Sequence, residues 1–131
     1  MHRLEQRVNA AVLDAVRDAG FKRVGRSHIA FLDQMGSGCR IGELARRMTI
    51  TEAAVSQLAD QLEALGLVHR SRGRQDGRAV IVEPTRAVER GWTVARAAVD
   101  AVESRWRAEL GERRFREMAD AIGRLAALDD D

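Results

Sequence analysis

Residues 70 to 78 read Arg-Ser-Arg-Gly-Arg-Gln-Asp-Gly-Arg, four arginines and two glycines in nine positions. Guanidinium groups hold their charge at any ordinary pH and fork onto phosphate oxygens. Glycine lets a backbone pass close to a sugar–phosphate wall. The chemistry on offer is capture of a polyanion, with Arg72 and Arg74 expected as phosphate clamps. Asp76 would repel such a partner, so its expected role is structural: it holds a neighbouring arginine and the turn through charge-assisted bonds. The chain has 22 basic and 20 acidic residues, so the cluster is a local concentration and not the by-product of a strongly basic protein.

A second set of residues lies just upstream. If Val55, Leu58 and Leu62 face inward at helical spacing, then Thr51, Ala53, Ala54, Ser56, Gln57 and Gln61 are left on the outer face. These are small or hydrogen-bonding side chains. A side-chain amide bonds adenine at N6 and N7 together, which makes Gln57 the best candidate for reading a base edge. Ser56 and Thr51 are expected to hold phosphates, Thr51 with help from the helix N-terminus.

Other chemistries lack support. There are no paired carboxylates in a cleft pattern and no Ser–His or Cys–His arrangement with local support. No phosphate-cradling glycine loop precedes a lysine, Lys22 being the sole one. The chain is not expected to be an enzyme. His28, Cys39 and His69 have no recognised metal-ligand spacing, so no metal or other cofactor is implied. Cys39 is the only cysteine, which rules out an internal disulfide. Amide dipoles of the helix that follows it can lower a thiol pKa, but a lone cysteine in this setting reads as inert.

Elements must hold these groups in place. At 131 residues the chain is long enough to bury a core in one domain, and with 4% aromatics that core must be aliphatic. Leu4, Val8, Val12 and Val16 mark a helix over residues 3 to 19, stopped by Gly20. A second helix is expected over Ser27 to Met35, a third over Ile41 to Met48 and a fourth from Thr51 to about Leu65, capped by Thr51 and ended by Gly66. Leu67 to Ser71 and Arg78 to Glu83 change to β-branched runs around a polar loop, which reads as a β-hairpin. Pro84 suits the first turn of a long helix running from Thr85 to about Leu110. Phe115, Met118, Ile122 and Leu125 mark a last helix after Gly111. No stretch approaches a membrane span and the N-terminus lacks a signal-peptide core, so a cytoplasmic protein without membrane association is expected.

Three short helices followed by a hairpin is the order of a winged helix-turn-helix, with the fourth helix set to enter a major groove and the hairpin as the wing. The run from Ile41 to Thr85 resembles the DNA-binding lobe of the MarR family of transcription regulators. The matching parts are Glu43-Leu44-Ala45, Ile50-Thr51, Val55-Ser56, Leu62-Glu63, Gly66-Leu67-Val68 and Asp76-x-Arg78. The resemblance implies a mainly α fold with a small β-hairpin: a lobe over residues 27–84, with helices in 1–20 and 85–128 that dimerise. It implies a homodimer on a pseudo-palindromic double-stranded DNA operator, usually as a repressor, released by a small-molecule effector. It also implies that Arg78 enters a minor groove. His28, Trp92 and Trp106 are candidates for the effector pocket, with Phe115 and Met118 nearby in the pattern. Gln57 and Gln61 stand where the family often has arginine and Ala54 where it often has a hydroxyl, which shifts phosphate attraction towards the wing. The rival reading is a winged-helix module that docks its basic loop on an acidic protein or on RNA.

Overall fold

The computed structural model describes residues 2–72 and 79–129. The chain begins with α1 (His2–Asp18), whose buried Val12, Leu13 and Val16 lie against the later helices, and turns through Gly20 into α2 (Arg26–Met35). A two-residue strand, β1 (Cys39–Arg40), leads directly into α3 (Ile41–Met48). After a short turn comes α4 (Glu52–Ala64), then β2 (Val68–Arg72) and β3 (Val80–Pro84). The long α5 (Arg86–Leu110) and α6 (Glu112–Asp129) complete the chain.

The expected hairpin is present but belongs to a larger sheet. The strands run β1-β3-β2, all antiparallel, so β3 is central, with Cys39 opposite Val82 and Arg70 opposite Val82 on the other side. A strand of two residues has no alternation to detect, and its pairing partner lies some forty residues away. Gly38, at φ +143°, enters β1 so close to β3 that a Cβ there would meet Glu83 Cγ at 3.2 Å. The positive φ favours glycine, and the tight approach adds a contact that Glu83 would have to shift to relieve.

Pro84 is the last residue of β3, and the helix starts two residues later with Thr85 as its N-cap. Thr85 clasps three elements. Its hydroxyl donates to Gly66 O at 2.6 Å and its N–H to Leu67 O at 3.0 Å, which ties the start of α5 to the junction of α4 and β2.

The core is mainly aliphatic, in keeping with the low aromatic content, with Phe31 as its largest fully buried side chain. Phe31, Leu44, Val55, Ala59, Leu62 and Val82 are fully buried and join α2, α3, α4 and the sheet. The fourth helix buries Val55, Ala59 and Leu62, while Leu58 is only half-buried; the inward stripe is rotated slightly towards Ala59 from the expected one. α1 lies along α5, held by Arg90, which donates to Ala19 O at 2.6 Å and stacks its guanidinium 4.5 Å from the Phe21 ring.

Candidate nucleic-acid interface

The angle between α3 and α4 is made by three residues. Thr49, at φ 58° and ψ 43°, ends α3 in the left-handed region, and Ile50 N–H returns to Ala45 O at 3.1 Å. Thr51 is extended, and its hydroxyl accepts the Ala54 N–H at 3.1 Å as the N-cap of α4. A β-branched residue in the left-handed region costs about 1–2 kcal/mol. The turn persists because buried Leu44, Ala45 and Val55 fix both helices on either side of it.

Thr51, Ala53, Gln57 and Gln61 are exposed along the outer face of α4, with Ala54 and Ser56 half-buried at its edges. This is the small, hydrogen-bonding face expected from the sequence. Gln57 makes no side-chain hydrogen bond within the described residues. Gln61 does: its Oε1 lies 2.7 Å from His28 Nε2 on α2. α4 itself carries Glu52, Asp60 and Glu63 and no basic residue. Arg70, at the root of the wing, answers two of these acids, reaching Asp60 through Nη2 and Glu63 Oε2 through Nε at 2.9 Å. Their carboxylates hold its pKa above the ordinary guanidinium range, the Asp60 bond contributing most. Arg70 therefore both braces β2 on α4 and cancels charge that would repel a phosphate backbone. In the sequence it is one more cation of the loop; its partners lie seven and ten residues back and have no pattern that marks them.

Beyond Val68, every residue of β2 is exposed, so the strand leaves the core at its first residue and projects outward. Arg72 stands exposed at its far end, opposite Val80. Arg74, Asp76 and Arg78 lie outside the described residues. At the root, His69 Nε2 meets Glu83 Oε2 at 3.1 Å across the strands. Arg47 of α3 is a brace of another kind, bonded to Glu43 Oε1 at 2.7 Å and to Gln34 O at 2.9 Å.

The three residues expected at an effector pocket are dispersed. A cleft of about 650 Å³ lies between α1, α2 and α5, lined by Val8, Val12, Ile29, Leu32, Trp92 and Val99 among others. Trp92 faces this cleft. His28 and Trp106 are not in its lining: His28 turns to Gln61 and to the Gly25 N–H, and Trp106 is half-buried more than three turns further along α5. Cys39 is buried on β1, its Sγ donating to Arg40 O at 3.2 Å. Burial pushes the thiol pKa up, and the nearby Arg47 only partly offsets this. Desolvation outweighs the helix-terminus effect that the sequence suggested.

Residues 29–79, from α2 to the foot of β3, match the model of the MarR family. Over that segment the chain is similar to the MarR family and has the winged-helix fold. Its likeness to solved structures extends over nearly the whole chain. The YusO protein from Bacillus subtilis superposes with a TM-score of 0.70 at 23% identity, covering 96% of this chain and 89% of that one. Wild-type MarR (apo form) from E. coli gives 0.75 at 13% identity over 95% and 91%. A MarR-family transcriptional regulator from Rhodococcus sp. RHA1 gives 0.70 at 23% over 95% and 88%. At these identities the likeness shows the fold: the MarR arrangement includes α1, α5 and α6, which the family model does not reach. No curated protein sequence matches the chain. Among the described residues no helix is long and apolar enough to cross a membrane.

Proposed function

We propose that this MarR-type chain is a sequence-specific double-stranded DNA-binding transcription regulator, working as a homodimer on a pseudo-palindromic operator. The observation that carries the reading is α4: a rigidly capped helix with Thr51, Ala53, Gln57 and Gln61 outward, flanked by a strand that leads into an arginine-rich tip. Two such helices in a dimer would enter successive major grooves about one helical turn apart, with the wings on flanking minor grooves. Arg72, Arg74 and Arg78 supply phosphate and minor-groove contacts, Asp76 shapes the tip, and Thr51 and Ser56 hold phosphates.

The dimer falls to the helices outside residues 27–84. Ile122, Leu125 and Leu128 form a stripe on α6 that is 42%, 61% and 71% exposed, and Leu4 on α1 is 42% exposed. A second copy burying that stripe removes it from water. Occupancy of a promoter excludes polymerase, which makes repression the expected sign. The Trp92 cleft lies between the dimerisation helices and α2, so an apolar ligand that prefers one separation of these elements would shift the population between DNA-competent and incompetent forms.

The acidic character of α4 favours a second reading, in which the wing alone docks on an acidic protein or RNA. One comparison separates the two. In a DNA reader Gln57→Ala changes the preferred base sequence, whereas Arg74→Ala weakens all duplexes about equally and reduces the salt dependence. If Gln57→Ala leaves every duplex bound as before, the major-groove reading fails.

A further inference from the structure

The recognition helix ends and the long helix begins on the same two residues. Gly66, at φ +75°, and Leu67 close α4 as a left-handed C-terminal cap: Gly66 N–H donates to Glu63 O at 3.0 Å and Leu67 N–H to Leu62 O at 3.0 Å. Their carbonyls serve α5. Gly66 O accepts the Thr85 hydroxyl at 2.6 Å, and Leu67 O accepts the Thr85 N–H at 3.0 Å. All four backbone groups of this dipeptide are thus used, two on α4 and two on Thr85. Thr85 stands at the N-cap of α5, where a hydroxyl ordinarily accepts an amide of the first helical turn. It makes no such bond. Pro84 before it has no N–H to offer, so Thr85 makes both bonds of the joint. Beyond its first turn, where Val88 is buried in the core, α5 packs chiefly on α1 and α6.

We propose that Thr85 is a positioning residue that sets the angle between α4 and α5, and through it the separation of the two recognition helices in the dimer. Such a role rests on the dimeric DNA-reading function proposed above. With α1, α5 and α6 holding the two copies together, the attitude of each lobe on α5 fixes where its α4 falls along the duplex. The covalent link through Pro84 and Thr85 alone would let the lobe pivot. Two bonds to consecutive carbonyls hold Thr85 at two points on the end of α4 and remove that pivot. Without the hydroxyl only the N–H bond remains, a single point about which the helices swing. At the other crossing, Arg17 Nε donates to Val24 O at 3.1 Å and Arg90 to Ala19 O at 2.6 Å; these bonds fasten the α1–α2 loop to α1 and α5, and neither reaches α4. Fixed lobes accept one half-site separation. One base pair more or less moves the second half-site by about 3.4 Å and turns it about the duplex axis by roughly 35°.

The test selects the preferred half-site from a random duplex pool, then measures binding of the full chain to paired half-sites whose separation is stepped by one base pair. Wild type, Thr85→Val and Thr85→Ser are compared. Valine keeps the side-chain volume and the N–H bond but removes the hydroxyl; serine keeps the hydroxyl. Wild type is expected to bind one separation at least about tenfold tighter than its one-base-pair neighbours. Thr85→Val is expected to narrow that ratio to about threefold or less, as loss of one hydrogen bond allows, with the same base preferences inside each half-site. Thr85→Ser is expected to keep the wild-type ratio. An unchanged ratio in Thr85→Val, a ratio lost in Thr85→Ser, or altered base preference with the ratio intact would each overturn the proposal and leave DNA reading in place. An unfolded Thr85→Val overturns it too, because the hydroxyl would then serve the fold and not the spacing. So does a wild type that selects a half-site but prefers no separation. A wild type that enriches no sequence overturns DNA reading itself and the proposal with it. Amide hydrogen exchange of the wild type tests the joint without a variant: slow exchange at Thr85 N–H is expected, and exchange at the rate of an unprotected amide contradicts it.

Discussion

Single residues decide how firmly the recognition helix is set. Thr51 is the one side chain that caps α4, and Thr51→Ala is expected to cost about 1 kcal/mol, measured as a lower urea midpoint with an unchanged slope. Thr49 is the opposite case. It sits in the left-handed region with a β-branched side chain, and Thr49→Gly relieves that strain at some cost in unfolded-chain entropy. A small net gain, up to about 1 kcal/mol, is the expected outcome of the same urea titration; a loss would mean that the hydroxyl has a role beyond the turn. Cys39 makes a third residue-scale prediction. A buried thiol with a raised pKa holds little thiolate at neutral pH, so native protein should react slowly with an aromatic disulfide reagent, and denaturant should release the reaction. The linkage sign follows: the folded state holds the thiol proton more tightly than the unfolded chain. Any contribution to stability is therefore intact below the ordinary thiol pKa and is lost as pH rises through the raised one.

At the scale of elements, the wing is braced to the recognition helix by Arg70. Exposed ion pairs contribute little to stability, so Arg70→Ala should move the unfolding midpoint by less than about 1 kcal/mol. Its effect on DNA should be larger, because Asp60 and Glu63 then face the phosphates unanswered. Affinity for any duplex is expected to fall several-fold at low salt, with the loss shrinking as salt screens the acids. The same elements show which features a sequence makes legible. The period of Val55 and Leu62, the Thr51 cap and the Gly66 stop are local, and each is written in neighbouring residues. The β1–β3 pairing, the Arg70 bridge and the His28–Gln61 bond join residues distant in sequence through one or two contacts each. No periodicity encodes such contacts. His28, a candidate for a ligand pocket on the sequence, meets Gln61 of α4, a contact that no local pattern announces.

At the scale of the whole molecule, the proposed dimer and the proposed ligand each have a surface that can be tested. The α6 stripe of Ile122, Leu125 and Leu128 is too apolar to stay in water without a cost, and burying a leucine side chain contributes roughly 1.5–3 kcal/mol. The double variant Leu125→Asp/Leu128→Asp is expected to sediment as a monomer while keeping its helical circular dichroism. Because one lobe alone reads half a site, its DNA affinity should fall by at least about a hundredfold. A variant that remains dimeric would move the interface elsewhere. The cleft beside Trp92 is the other surface, and quenching of Trp92 emission by an apolar ligand is its natural signal.

The proposed function requires that the protein recognise DNA by sequence. Fluorescence anisotropy of the purified protein against the duplex upstream of its own gene and a scrambled duplex, at two salt concentrations, tests it most directly. Binding to the native duplex is expected to be about a hundredfold tighter or more, a ratio retained as salt rises even though both affinities fall. Equal and equally salt-sensitive binding to the two duplexes would contradict it, leaving the arginine-tipped wing as a polyanion patch and α4 without a groove to read.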